Sequence, residues 1–151
     1  MAHTFLLEEG RWTFEGSWLN REGLPLTIKG RTLVAWSAEN WFTWVTKLDF
    51  TDDERPGISY QYRGRLDAGD RQYNFVLQHS ELGRIEGEGW VAPDSIVQHY
   101  HVISDDDRPN QRQHGFESLY RLDASTYALS SGIFVGYSLV STMEAQLKRS
   151  V

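Results

Sequence analysis

A basic side chain, a histidine and two hydroxyl groups share one face of a single predicted strand. They are Arg112, His114, Ser118 and Tyr120, all at even positions, and alternate residues of a strand point to the same side of a sheet. If that face is the inner one, Arg112 could pair with a ligand carboxylate or oxyanion, and His114 could exchange a proton with a bound substrate. The alternative is that Arg112, near the start of the strand, extends to the rim and keeps its charge in water.

Three histidines, His99, His101 and His114, form a second group. A hairpin centred near Asp107 would bring His114 across from His101, and three imidazoles can bind a divalent metal ion. Outward histidines on strands are common, however, and we predict no metal site and no cofactor. The acidic run 105–107 lacks the other ligands and the glycine of a calcium loop, so we predict a turn there.

Several catalytic motifs are absent from the sequence. It contains no cysteine, and it has neither a Ser-His-Asp arrangement nor a glycine-rich phosphate loop between a strand and a helix. The predicted inner faces carry no pair of carboxylates, which argues against glycosidase chemistry. No catalytic residue is therefore assigned, and an enzyme would have to use His79, His114 or the tyrosines as its acid or base.

The charge balance limits the classes of partner. The 151 residues include 15 Lys and Arg against 21 Asp and Glu, a formal net charge of −6 at pH 7. Because the basic residues are scattered singly, we expect neither a nucleic acid nor an anionic membrane as a partner. No apolar stretch approaches the roughly 18 residues of a membrane-spanning helix, and the N-terminus lacks a basic segment followed by an apolar run. We expect a cytoplasmic protein.

Strands are the elements that would position these groups. In the first strand Trp12, Phe14, Gly16 and Trp18 alternate with polar residues, so one face needs a core to cover it. About ten such segments follow one another with turn residues between them, which is typical of an up-and-down antiparallel β-barrel. We predict an all-β fold, a single barrel domain over residues 1–151, with a short helical plug at residues 2–9 capped by Thr4. The inner face of residues 95–103 stays open, because both faces are mixed.

The predicted inner faces are rich in aromatic residues. The chain has 6 Trp, 7 Tyr and 7 Phe, and buried hydroxyl and indole N–H groups need partners, which a ligand or ordered water could supply. Inward Gly64, Gly87 and Gly89 are predicted to leave room for a ligand. The alternative is a packed interior without a cavity. The predicted ligand-binding residues are Trp18, Trp36, Trp44, Tyr60, Tyr62, Tyr73, His79, Arg112, His114 and Tyr120.

Short motifs at both ends of the chain resemble a known signature. Phe-Leu-Leu at 5–7, Gly-Arg-Trp at 10–12 and Lys-Arg at 148–149 resemble the calycin signature of lipocalins and fatty-acid-binding proteins. The resemblance implies that Trp12 on the first strand packs against Lys148 or Arg149 on the last.

Two longer segments, residues 5–16 and 77–87, are similar to the ten-stranded haem barrels called nitrobindins and to uncharacterised relatives of that family. The haem ligand of that family is a histidine shortly before the end of the chain. This sequence has no histidine after His114, so we expect no haem bound by that route.

These observations leave three functional hypotheses. The first is binding of a small hydrophobic or aromatic ligand in the barrel, in a protein that could form a homodimer. The alternative is an enzyme, a lyase or isomerase that acts on a bound hydrophobic or pigment-like substrate. The third is an interaction protein that uses four outward apolar residues, Trp41, Trp90, Val45 and Val97.

Overall fold

The computed structural model describes residues 2–21, 23–51, 54–66, 69–104 and 108–150. Ten β-strands make up most of this part of the chain. They are β1 (Gly10–Asn20), β2 (Leu26–Trp36), β3 (Trp41–Phe50), β4 (Ile58–Arg65), β5 (Gln72–His79), β6 (Gly83–Val91), β7 (Ser95–Val102), β8 (Gln113–Asp123), β9 (Thr126–Val135) and β10 (Ser138–Arg149). Two short 3-10 helices, Ala38–Asn40 and Pro109–Gln111, precede β3 and β8. None of the described elements is a helix of the length and hydropathy that crossing a membrane requires.

The strands form one closed antiparallel barrel. Each strand pairs with the next along the chain, and β1 pairs with β10 to close the sheet. The predicted all-β, up-and-down barrel of about ten strands is therefore confirmed. The alternation of side chains explains it, since each strand has one apolar face and closure buries all of these faces together without leaving an edge.

The N-terminal segment covers the end of the barrel where β1 begins, which we call the plug end. The predicted helix at residues 2–9 is wrong, because the segment is a turn in which Leu6 has a φ of 69° and the Leu7 N–H donates to the Phe5 carbonyl (2.9 Å). Phe5 and Leu6 are both fully buried. Consecutive residues of a helix point in different directions, so a helix would not place both side chains in the same barrel end.

Trp12 joins the first and last strands at the plug end. It is 1% exposed, lies opposite Arg149 in the β1–β10 register, and has the Arg149 guanidinium 5.8 Å from its ring centroid. Arg149 also pairs with Glu8 at 2.7 Å. The expected packing of Trp12 against a basic residue of the last strand is thus present.

The inner face of β8 differs from the prediction. Gly115, Glu117 and Leu119 are buried inside the barrel, whereas Tyr120 is 53% exposed. The prediction was wrong because the outer face also carries large apolar side chains, such as Phe116, and so resembles an inner face. Because side chains alternate with a period of two, a shift of one residue moves the whole set to the other side of the sheet.

Pairing with β8 also fixes the inner face of β7. Gln98 lies opposite the buried Glu117, and Tyr100 lies opposite Gly115. Both residues of β7 are buried. The face of residues 95–103 that the sequence leaves open is therefore the even-numbered one.

The inward glycines do not leave open space. A Cβ atom on Gly87 would lie 2.5 Å from Cζ of Phe75 and 2.9 Å from Cβ of Tyr100. Other inward glycines are covered in the same way by the aromatic ring of the residue paired with them on the neighbouring strand. These pairs are Gly64–Phe42, Gly89–Tyr73 and Gly115–Tyr100. The prediction that Gly64, Gly87 and Gly89 make room for a ligand is wrong, because these glycines accommodate the protein's own aromatic rings.

Candidate functional site

A buried carboxyl group lies at mid-height inside the barrel. Glu117, on β8, is 5% exposed. The Tyr62 hydroxyl, from β4 across the barrel, donates a hydrogen bond to its Oε1 (2.5 Å), and the Gln98 side-chain amide of neighbouring β7 donates to its Oε2 (3.1 Å). Both oxygens of the carboxyl group are thus bound by neutral donors.

A fourth residue fixes the orientation of the Gln98 amide. The Tyr73 hydroxyl, from β5, donates to Oε1 of Gln98 at 2.7 Å. With its oxygen occupied, Gln98 presents its NH₂ group to Glu117. The chain of hydrogen bonds from Tyr73 through Gln98 and Glu117 to Tyr62 ties four separate strands together inside the barrel.

Burial dominates the electrostatics of this network. It raises the pKa of Glu117, while the hydrogen bonds from Tyr62 and Gln98 act in the opposite direction. Burial, followed by the charge of Glu117, also raises the pKa of four tyrosines around the carboxyl group, Tyr60, Tyr62, Tyr73 and Tyr100. These phenols therefore stay protonated and can donate hydrogen bonds at neutral pH.

An aromatic and hydroxyl layer supports Tyr62. The Trp44 ring stacks on the Tyr62 ring with centroids 4.3 Å apart and an interplanar angle of 20°. The Trp44 indole N–H donates to Thr46 Oγ1 (3.1 Å), and this oxygen lies 2.8 Å from Thr32 Oγ1. Because the indole N–H and both hydroxyl groups have partners, the layer holds Tyr62 in place without leaving any of these buried polar groups unsatisfied.

The wall beside Glu117 on β9 and β10 includes two small side chains, and part of it is less completely buried. Ser131 on β9 lies directly opposite Glu117, and Ser141 on β10 follows on the same inner surface. Ser131, Ile133 and Val102 face inward yet are only half-buried. Solvent therefore reaches the interior near the end of the barrel where β7 ends and β8 begins, which we call the open end.

His79 lies at this open end. Its ring is parallel to the Tyr60 ring, with centroids 5.6 Å apart, and its Nδ1 accepts hydrogen bonds from the backbone N–H groups of Glu81 and Leu82, both at 3.1 Å. Burial lowers the pKa of His79, and Glu81 acts in the opposite direction. The neutral imidazole is the form that accepts these bonds, so His79 stabilises the turn after β5.

An arginine also lies at the open end. The Arg55 guanidinium is 4.7 Å from the Phe50 ring centroid and 5.7 Å from that of Trp18, and it pairs with Glu81 at 3.4 Å. Phe50 and Trp18 are inward residues with 6% and 8% exposure. Arg55 thus places a cation over the aromatic residues that line the opening.

The structure brings several of the predicted site residues to the interior. Trp18, Trp44, Tyr60, Tyr62 and Tyr73 are buried and face inward. Their role in ligand binding stays a prediction.

Trp36 lies at the other end of the barrel. It is half-buried at the plug end, where its indole N–H donates to the Leu6 carbonyl at 2.8 Å. The structure therefore places it with the plug and away from His79 at the open end.

Three predicted site residues lie outside the barrel. Tyr120 points outward from β8, and Arg112 is exposed just before that strand begins. His114 stacks on Phe134 on the outer surface, with ring centroids 5.1 Å apart, and its Nε2 lies 2.9 Å from the Gly136 carbonyl oxygen. The predicted inner group of Arg112, His114 and Tyr120 is wrong for the reason given above, the alternate face of β8.

The three histidines do not form a metal-binding group. His99 pairs with Glu88 (Nε2 to Oε1, 2.8 Å), and His101 lies opposite His114 in the register of β7 and β8. Over the described ranges, no group of three or more His, Cys, Asp or Glu side chains is placed to hold a metal ion. The predicted turn at 105–107 lies outside the described residues.

The key residues that the sequence interpretation missed are Glu117, Gln98 and Tyr100. An inward acid cannot be found from apolar alternation alone. A usable signal was the hairpin register, because it sets Gln98 against Glu117 and Tyr100 against Gly115. Two polar residues opposite each other, next to an aromatic–glycine pair, indicate an inner face that is partly polar.

The four residues of the interaction hypothesis lie in or near grooves on the outer wall of the barrel. Trp41 borders a groove of about 480 Å³ beside Arg63 and His99, and together with Trp90 it lines another of about 720 Å³. Val45 lines a basic groove of about 1030 Å³ on β1–β3. Val97 is 41% exposed on β7. The groove that Trp41 and Trp90 share is also lined by Tyr73 of the Glu117 network.

Fold and interior together define a class, a closed ten-stranded antiparallel barrel with a polar network buried at its centre. Among solved structures, the chain is similar to Rv2717c from M. tuberculosis, with 18% identity, a TM-score of 0.72, and coverage of 94% of this chain and 92% of that one. At this identity the similarity shows the fold alone. The fold fits that of a calycin-like barrel.

A second solved structure, described as EF1p2_mFAP2b bound to DFHBI, has 12% identity and a TM-score of 0.43, with coverage of 93% of this chain and 92% of that chain. A similarity this low supports no functional inference. No family model matches the chain, and no curated protein matches it. The similarity to nitrobindins and the expected absence of a cofactor therefore stay predictions.

Proposed function

We propose that the protein binds a small hydrophobic or aromatic molecule inside the barrel, reached through the open end. The observation that carries the proposal is the partial exposure of inward side chains next to Glu117. Ser131, Ile133 and Val102 face the interior and yet remain half-buried. Ser131 lies at the middle of β9, where a fully packed barrel would cover an inward residue, and Ile133 and Val102 lie nearer the open end.

The two sides of this region are suited to a flat apolar ligand. On one side are aromatic rings with small residual exposure, Tyr60 and Tyr100, each 6% exposed. On the other are Ser131 and Ser141, which take little volume. An aromatic wall facing small polar residues is a common composition of small-molecule sites, in which a few polar groups fix the ligand's orientation.

The test is a matched pair of filling variants on β9. Ser131→Phe adds a ring to the inner surface, whereas Ser130→Phe adds the same ring to the exposed outer surface one residue away. A neutral apolar fluorophore titrated into the wild type should quench tryptophan emission. Ser131→Phe should reduce this binding at least about tenfold, and Ser130→Phe should leave it as in the wild type.

Thermal melts of both variants establish that they are folded. If the wild type does not bind any apolar fluorophore, or if a folded Ser131→Phe variant binds as the wild type does, the interior is not the binding site.

The alternative, a lyase or isomerase acting on the bound hydrophobic or pigment-like substrate, is favoured by one observation. Glu117 and Tyr62 are a carboxyl and a phenol in direct hydrogen-bond contact inside the barrel, and such a pair could move a proton on a bound molecule. Small molecules extracted from purified wild type and from Glu117→Gln should then differ on liquid chromatography. Identical extracts would favour binding without catalysis.

A cytoplasmic location and a homodimer remain predictions from the sequence.

A further inference from the structure

The side chains that contact the Glu117 carboxyl group are hydrogen-bond donors to it. Tyr62 donates to one oxygen and Gln98 to the other, and Tyr73 orients the Gln98 amide so that its NH₂ group faces Glu117. An ionised carboxylate only accepts hydrogen bonds, whereas a protonated one also needs an acceptor. The network is therefore arranged for the negatively charged form.

Within the described part of the chain, no inward lysine or arginine lies beside Glu117 to balance that form. Among the inward side chains of the described strands there is no lysine, and the arginines, Arg121 and Arg149, lie at the plug end. Arg121 pairs with Asp94 (2.9 Å) and Arg149 with Glu8 (2.7 Å).

Arg55, at the opposite opening, pairs with Glu81 (3.4 Å). Each of these arginines thus lies at a rim beside an acid. An ionised carboxylate at mid-height is unfavourable unless a counter-charge is present.

Aromatic rings surround the carboxyl group. Tyr62 stacks on Trp44 and meets Tyr60 edge to face, with ring centroids 5.6 Å apart and an interplanar angle of 79°. Tyr60 and Tyr100 are close enough for the charge of Glu117 to affect their titration. Aromatic faces next to a carboxylate are the groups with which proteins bind organic ammonium ions, by cation–π attraction and ion pairing.

We propose that the ligand of the barrel is an organic cation, an amine or quaternary ammonium compound with an apolar or aromatic body, whose charge pairs with Glu117. This inference rests on the proposed function. It differs from the sequence expectation, in which Arg112 would bind an acidic ligand, because Arg112 lies outside the barrel and the interior group is an acid.

Binding of such a cation is coupled to the proton of Glu117. Burial raises the pKa of Glu117 in the free protein, and a bound cation favours the ionised carboxylate, so binding releases the proton to solvent. Affinity for a permanently charged ligand should therefore rise with pH until Glu117 is ionised in the free protein. Other ionisable side chains on the inner surface of the described strands are Tyr60, Tyr62, Tyr73 and Tyr100, with His79 at the open end and Tyr127, bound to His3, at the plug end.

The experiment compares three probes built on one fluorophore. The first carries a trimethylammonium group, the second the neutral tert-butyl group of the same shape, and the third a carboxylate. Wild-type protein should bind the trimethylammonium probe at least about tenfold more tightly than the neutral probe, and the carboxylate probe most weakly. This preference should grow as the pH is raised.

Glu117→Gln should bring the ratio of the two affinities, cation over neutral, close to one. The matched control is Glu144→Gln, which removes a carboxylate from the exposed outer face of β10 and should leave the ratio as in the wild type. If Glu117→Gln does not fold, the pH dependence in the wild type still tests the inference.

The outcomes separate the two proposals. Equal binding of the cationic and neutral probes, stronger binding of the carboxylate probe, or a cation preference that persists in Glu117→Gln would overturn the cationic ligand and leave the interior site standing. If none of the three probes binds, the proposed function itself fails.

Discussion

The two ends of the barrel are filled differently, although the same alternation of residues builds both. At the plug end Phe5 meets Trp12 and Trp44 edge to face, with ring centroids 5.2 and 4.9 Å apart, and all three side chains are at most 1% exposed. At the open end Trp18 is 8% exposed and Ile133 is half-buried. One end is therefore a tightly packed core, and the other has inward side chains that are less completely buried.

The largest expected effect tests this difference with two tryptophans of the same strand. Trp12→Ala should lower the free energy of unfolding by about 3–5 kcal/mol, because the surrounding rings cannot close over the lost volume. Trp18→Ala, at the open end, should cost less than half of that. Urea denaturation monitored by circular dichroism measures both. Equal losses for the two variants would mean that the ends are equally packed.

The next effect compares an inward glycine with an inward serine. Gly87→Leu should destabilise the protein by about 1–3 kcal/mol or prevent folding, since its side chain would overlap Phe75 and Tyr100. Ser131→Leu, on the more open wall, should cost less than about 1 kcal/mol. Chemical denaturation of both variants gives the comparison. A stable Gly87→Leu protein would indicate free space beside β6.

The sequence was sufficient for much of the fold, because several strands have one clearly apolar face. On β4, for example, Tyr60, Tyr62 and Gly64 alternate with polar residues, and all three face inward as predicted. On β8 both faces carry large apolar side chains, and Phe116 and Tyr120 belong to the outer one. Only the pairing with neighbouring strands decides between two such faces.

Two other errors have local causes. Regular alternation predicts that Leu139 faces inward with the odd-numbered residues of β10, but the register shifts between Leu139 and Ser141 and leaves Leu139 42% exposed. A β-bulge of this kind changes which face a residue occupies without a clear sequence signal. The candidate site has a different cause of error. Glu117 is a buried acid, and apolar alternation does not distinguish a buried acid from an exposed one.

A smaller effect concerns the dependence of stability on pH. Because burial raises the pKa of Glu117, the folded protein binds this proton more tightly than the unfolded chain. The stability from this group is fully present below the unfolded pKa and is lost as the pH rises through the folded one. Without ligand, the free energy of unfolding of the wild type, relative to Glu117→Gln, should fall as the pH rises from about 4, the ordinary pKa of a glutamate, through the raised pKa of Glu117 in the folded protein.

Urea titrations of both proteins at several pH values measure this difference, in which contributions shared by the two, such as that of His79, cancel. A difference that rises with pH would mean that the carboxylate is the more stable form in the folded protein, and that the Tyr62 and Gln98 hydrogen bonds outweigh burial.

The smallest expected effect tests which face of β8 is inside. Tyr120→Ser removes a side chain that is 53% exposed on the outer surface, so it should change the free energy of unfolding by no more than about 0.5 kcal/mol. Leu119→Ser, one residue earlier and fully buried, replaces a core side chain with a smaller polar one and should cost at least about 2 kcal/mol. Denaturation curves for both variants, with binding of the neutral fluorophore to Tyr120→Ser as a second readout, decide the matter. If Tyr120→Ser is the more damaging change, or if it removes binding, then the even-numbered face of β8 lies inside, and Glu117 cannot be the centre of the site.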